Sequence, residues 1–102
     1  MLFLVISTPR PDRPSELAGQ RQKFWPWIGN YQANGLCRHV YPRVGRGAIA
    51  VFDVDSNDAL HRILNEWADL IPAQFATYPL VEIEGSKQML ASQLALQSEP
   101  KL

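Results

Sequence analysis

The chain has 102 residues, 46% of them apolar and 20% charged, which suits one water-soluble domain with a single core. Lys+Arg and Asp+Glu balance at 10 each, which argues against a broad electrostatic footprint for nucleic acid or an anionic membrane. The lone Cys37 excludes an internal disulfide framework, and no run approaches the ~20 apolar residues of a membrane span.

In chain order, Leu2–Ile6 is a short apolar run that reads as a first strand. The apolar stretch Met1–Ile6 is too short for a signal h-region, so the expected location is cytoplasmic. Pro9, Pro11 and Pro14 follow, and the stretch from Thr8 to Pro14 reads as an extended loop outside helix and ladder. Ser15 is a candidate N-cap, with Glu16 in the first turn, for a helix running to Asn34-Gly35. Phe24, Ile28 and Tyr31 share one face of that helix, and Pro26 inside it must kink or restart it.

Leu36–Val44 and Gly47–Val54 read as two strands joined by a tight hairpin at Gly45-Arg46. A second helix starts near Asp55 or Ser56. It carries a stripe of Leu60, Ile63, Leu64, Trp67 and Ile71 and stops at Pro72. Phe75–Glu84 reads as the last strand, closed by Gly85. Ser86–Gln97 has a weaker helical pattern with Met89, Leu90 and Leu94, and Ser98–Leu102 is expected to fray.

The order β-α-β-β-α-β predicts an α+β, ferredoxin-like domain over residues 1–85, with a four-stranded antiparallel sheet and two helices on one face. Residues 86–102 form a C-terminal helical extension. In the first, third and last strands both alternating sets of side chains are largely apolar. The uncovered face would exceed the roughly 300–600 Å² patch a monomer usually tolerates. The expected partner is a second copy packed sheet to sheet, as a homodimer or within a larger ring.

The joint Phe52-Asp53-Val54-Asp55-Ser56-Asn57-Asp58-Ala59-Leu60-His61 resembles the Phe-Asp-Val-x-Ser-x-x-x-Leu-His segment of the muconolactone isomerase family. Gly35-Leu36-Cys37-Arg38-His39-Val40-Tyr41 is similar to its Gly-x-Trp-Arg-His-Leu-Trp. Ile71-Pro72 and the strand at Leu80–Ile83 fall where that family has its Phe-Pro turn and closing strand, so the resemblance covers roughly residues 1 to 84. It implies a dimeric α+β barrel and a cofactor-free isomerase acting on a lactone or similar carboxylated ring compound. Where the family carries acids in its first helix, this chain reads Arg21-Gln22-Lys23-Phe24-Trp25-Pro26-Trp27, and Cys37 stands in place of a Trp.

The candidate site residues follow from this. His39 would be the general acid/base, a role an imidazole can fill, if it faces a cavity with Cys37 and Tyr41. Adjacent residues on a strand face opposite sides, so Arg38 and His39 share a site only if a bulge intervenes. Arg38 or Arg43 would clamp a substrate carboxylate, and Arg46 adds to a local cationic cluster. Phe24, Trp25, Trp27, Tyr41 and Cys37 would line the ligand pocket.

Each has a plainer reading: His39 as a satisfied core or interface histidine, the arginines as solvated, the indoles as packing groups and Cys37 as a buried apolar thiol. His61 reads as a boundary residue. Asp55 and Asp58 serve better as cap and first-turn acids than as metal ligands, and no metal or cofactor is expected. Two further functions compete with the isomerase. One is a non-catalytic ligand-binding or assembly protein on the same fold. The other is a cofactor-independent monooxygenase-type barrel enzyme, a chemistry this superfamily also hosts.

Overall fold

The computed structural model describes residues 1–98. In chain order the elements are β1 (Leu2–Pro9), a 3-10 turn (Pro14–Leu17), α1 (Ala18–Ala33), β2 (Cys37–Pro42), β3 (Ala48–Asp53), α2 (Asn57–Leu70), β4 (Ala73–Leu80) and α3 (Ile83–Ser98). The four strands form one antiparallel sheet in the order β2-β3-β1-β4, with α1 and α2 on one face. This is the ferredoxin-like α+β arrangement that the order of elements implies.

The joint between β3 and α2 forms as its residues dictate. Alternation along β3 puts Ala48, Ala50 and Phe52 into the core beneath the helices, with Val54 just beyond. Ser56 then turns to extended backbone, and its Oγ accepts the Ala59 N–H at 3.1 Å, capping α2. Asp58 lies in the first turn, where the helix dipole favours an acid. Leu60, Ile63 and Trp67 carry the buried stripe of α2. Trp67, only 2% exposed, is the hub: its ring lies 5.0 Å from Phe24, 5.2 Å from Phe75 and 6.5 Å from Phe52, between centroids. Ile71 closes the helix with its N–H on the Trp67 carbonyl.

Several boundaries differ from the sequence expectation. β1 extends through Thr8 and Pro9, which pair with Gln74 and Ala73 of β4. The β1–β3 ladder has already ended at Ile6, so Pro9 has no partner on that side to disappoint. Pro14 opens a 3-10 turn rather than extending the loop, which places Ser15 inside the turn; its side chain caps nothing. α1 runs unbroken through Pro26 and stops at Asn34, whose N–H returns to the Asn30 carbonyl. The β2–β3 connection is a five-residue loop, residues 43–47, closed by Arg43 N–H on the Gly47 carbonyl at 2.9 Å, and not a two-residue hairpin.

The end of the chain departs most. β4 stops at Leu80, and Gly85 lies inside α3 instead of closing a strand. α3 begins at Ile83 and has no buried residue; Met89, Leu90, Leu94 and Leu96 are 55–68% exposed. Their positions do not fall on one stripe, which is why the periodic signal is weak. The helix stands clear of the sheet, giving a longest dimension of 69 Å and a radius of gyration of 18.5 Å, against about 13 Å for a compact chain of this length. The expected frayed tail lies, beyond Ser98, outside the described residues.

Candidate functional site

A bulge in β2 decides where the sequence candidates point. Cys37 pairs with Phe52 and His39 with Val51, so Arg38 is the extra residue between them. Partners across a ladder share a face. Cys37 therefore joins Phe52 in the helix-side core, whereas His39 and Tyr41 join Val51 and Ile49 on the open face. This corrects the grouping of Cys37 with His39 and Tyr41. The same bulge turns Arg38 to the open face beside His39. Cys37 is 2% exposed; burial pushes its thiol pKa up, and its Sγ lies 3.4 Å from the His39 carbonyl.

On the open face Arg38 is already occupied. Its Nη2 donates to Asp53 Oδ2 at 2.6 Å and its Nη1 to Glu82 Oε1 at 2.9 Å. The Met1 ammonium completes the cluster, 3.5 Å from Asp53 Oδ1 and donating to the Val54 carbonyl. The Arg38 hydrogen bond holds the Asp53 carboxyl below its ordinary range. Charge pairing of this kind leaves Arg38 without a free fork for a substrate carboxylate.

The other face holds a cleft. It opens between α1 and the β2–β3 loop, encloses about 130 Å³ and reaches down to Trp67. Phe24, Trp25 and Trp67 form its aromatic wall, Pro9, Pro14 and Pro42 its rim, and Ser7 and Ala48 part of its floor. Three arginines reach it from two elements, Arg21 from α1 and Arg43 and Arg46 from the loop. No carboxylate lines it, and among the described residues none of the three arginines has an ion-pair partner. Arg43 is held in place by neutral acceptors, its Nη1 on the Ser7 carbonyl at 3.1 Å and on Thr8 Oγ1 at 3.2 Å.

The structure thus divides the candidates. Phe24, Trp25 and Arg43 meet in the cleft; Arg38, His39 and Tyr41 lie on the opposite face; Cys37 is in the core. Trp27 is separated from Trp25 because residues two apart on a helix diverge. Its Nε1 donates to Glu66 Oε1 at 2.9 Å, and Tyr31 OH donates to the same oxygen at 2.8 Å, pinning α1 to α2. Burial and this carboxylate raise the Tyr31 pKa.

Arg21, Ser7 and Trp67 were not singled out from sequence as site residues. A signal for Arg21 existed: Arg21, Phe24, Trp25 and Ile28 follow the i, i+3, i+4, i+7 rule, which puts a charge on the helix's core-facing stripe. Among the described residues no group of three His, Cys, Asp or Glu side chains is placed to hold a metal ion, and no helix is long and apolar enough to cross a membrane.

Fold and cleft together define a small α+β protein with an aromatic, cation-rimmed pocket between its sheet and its first helix. Residues 1–94 match the family described as "Domain of unknown function (DUF3303)", and the chain belongs to that family. No curated protein matches the sequence. Among solved structures the chain is similar to 5-chloro-2-hydroxyhydroquinone dehydrochlorinase (TftG) from Burkholderia phenoliruptrix AC1100, in complex with 2,5-dihydroxybenzoquinone. The TM-score is 0.60 at 16% identity, over 83% of this chain and 98% of that one. The likeness is one of fold alone.

Proposed function

We propose that this protein binds a small planar anion, a carboxylated or otherwise oxygen-rich ring compound, in the cleft between α1 and the β2–β3 loop. The observation that carries this reading is three arginines around an aromatic wall with no carboxylate among the lining residues. Uncompensated guanidinium groups favour an anion and can grip a carboxylate through paired N–H donors. The aromatic rings favour a flat partner. Size agrees: an engineered apolar cavity of about 150 Å³ takes up benzene, so one ring fits here with its charged substituent toward the arginines. The ring compound bound to the structurally similar dehydrochlorinase is of this size class.

No side chain that titrates near neutrality lines the cleft, which favours binding over proton transfer at this place. The isomerase reading, with His39 as acid/base, needs a second cavity on the open face. The placement of His39 and Tyr41 on that face favours it, as does the apolar open face of Leu4, Ile6, Val51 and Tyr78, which a second copy would cover. Sedimentation equilibrium tests the homodimer. A strictly monomeric protein removes that cavity and the isomerase reading with it.

Titration with benzoate, followed by tryptophan fluorescence, tests the cleft. Saturable quenching is expected, weakened by Arg46→Ala and by added salt, while benzyl alcohol binds far less. Equal binding of the charged and neutral compounds, or no effect of Arg46→Ala, refutes the anion site.

A further inference from the structure

Ser7 is the one polar residue among the described residues that is fully buried, 2% exposed, and it lies on the floor of the cleft. Its surroundings use one acceptor site of its hydroxyl and leave the proton without a partner. The β1–β3 ladder ends at Ile6, and one residue further on the Ala48 N–H is received by Ser7 Oγ, at 2.9 Å, in place of a backbone carbonyl. The Ser7 carbonyl is taken by Arg43 Nη1. A hydroxyl also has a proton to donate, and among the described residues nothing accepts it. Leaving a buried donor unused is costly, so natural structures seldom do so without a reason.

We propose that Ser7 is a specificity-determining residue of this site: its Oγ–H donates to an oxygen of the ligand seated deep in the cleft, beside the guanidinium of Arg43. The assignment rests on the cleft being the ligand site. It adds that the ligand's inner end is an acceptor oxygen, a carboxylate or ionised phenolic oxygen, held by one neutral and one cationic donor. Apolar ring edges and ammonium groups would be rejected there, because they would leave the hydroxyl and the guanidinium unsatisfied. The geometry is fixed from behind. The Ala48 N–H holds Oγ in place, and the Ser7 carbonyl holds Arg43, so both donors are ordered before the ligand arrives.

The test is benzoate affinity, by tryptophan fluorescence, of the wild-type chain, Ser7→Ala and Ser7→Thr, with circular dichroism confirming the fold of each. A hydrogen bond to a charged acceptor predicts binding about tenfold to a hundredfold weaker in Ser7→Ala and retained in Ser7→Thr, which keeps the hydroxyl. Because Ser7→Ala also strips the Ala48 N–H of its acceptor, Ser7→Cys replaces it if it fails to fold, with the same loss expected of a poor donor. Unchanged affinity in Ser7→Ala, with Arg46→Ala still weakening binding, overturns the role of Ser7 and leaves the cleft standing. Equal losses in Ser7→Ala and Ser7→Thr overturn it as well, since that is a packing effect. Absence of benzoate binding to the wild-type chain overturns both.

Discussion

The β2–β3 loop offers a paired test of how the cleft is built. Gly45 and Gly47 both adopt φ of +90°, a region L side chains avoid. Their surroundings differ. A Cβ at Gly45 would meet nothing within 4 Å, whereas one at Gly47 would fall against the Ser7 carbonyl oxygen, with Pro9 Cδ also close. Gly45→Ala therefore carries the conformational cost alone, about 1–2 kcal/mol. Gly47→Ala carries the same cost plus a clash with backbone, which no rotamer change relieves. Displacing a packed backbone adds about 1–3 kcal/mol, typical of overpacking. The displaced carbonyl is the one that orients Arg43, so benzoate binding should fall in Gly47→Ala while Gly45→Ala leaves that contact intact.

Urea unfolding at a single protomer concentration measures the difference, since any self-association would otherwise shift the midpoint. The thermal midpoints should separate by about 4–8 °C for each kcal/mol between the two variants. Equal destabilisation of the two would refute the close approach of β1 to the loop, and with it the account of how Arg43 is positioned.

Three further outcomes follow from other parts of the molecule. Trp67→Ala should destabilise by about 3–5 kcal/mol, since it empties the centre of the ring cluster, and calorimetry would show a sharply lowered midpoint. Ser56→Ala removes the cap of α2 and should cost about 1 kcal/mol in urea unfolding, largely restored by Ser56→Asp. Asp53 has a folded pKa below its unfolded value, so its contribution is present above the ordinary carboxylate range near 4 and is lost as pH falls through the folded pKa. An acid titration of stability should therefore be shallower in Asp53→Asn, the two proteins converging at the acid end; parallel curves would show the Arg38 contact to be of no consequence in solution.

The legible parts of this protein are those whose cause is local. The apolar, β-branched run Ala48–Val54 declares a strand, and the polar cluster Asp55–Asp58 declares the start of α2, with Ser56 rather than Asp55 as its cap. The stripe Leu60, Ile63 and Trp67 declares which face is buried, and all three formed as read. The element order then implies the sheet. The candidate site was legible only in fragments. Phe24, Trp25, Arg43 and Arg46 stood out by type, but nothing in their spacing shows that a loop and a helix 20 residues apart converge on Ser7. Strand alternation misled at Cys37–His39, because one inserted residue reverses the facing of everything before it.

Composition and periodicity by themselves determined the class of fold, the capped second helix and the core stripe, since those follow from interactions a few residues apart. Only the tertiary structure decided that Arg38 is spent on Asp53 and Glu82, that Arg21, Arg43 and Arg46 share an acid-free cleft, and that the hydroxyl of Ser7 is left with a proton to give. Those facts depend on contacts between residues tens of positions apart, whose register is set by the bulge in β2 and the early end of the β1–β3 ladder.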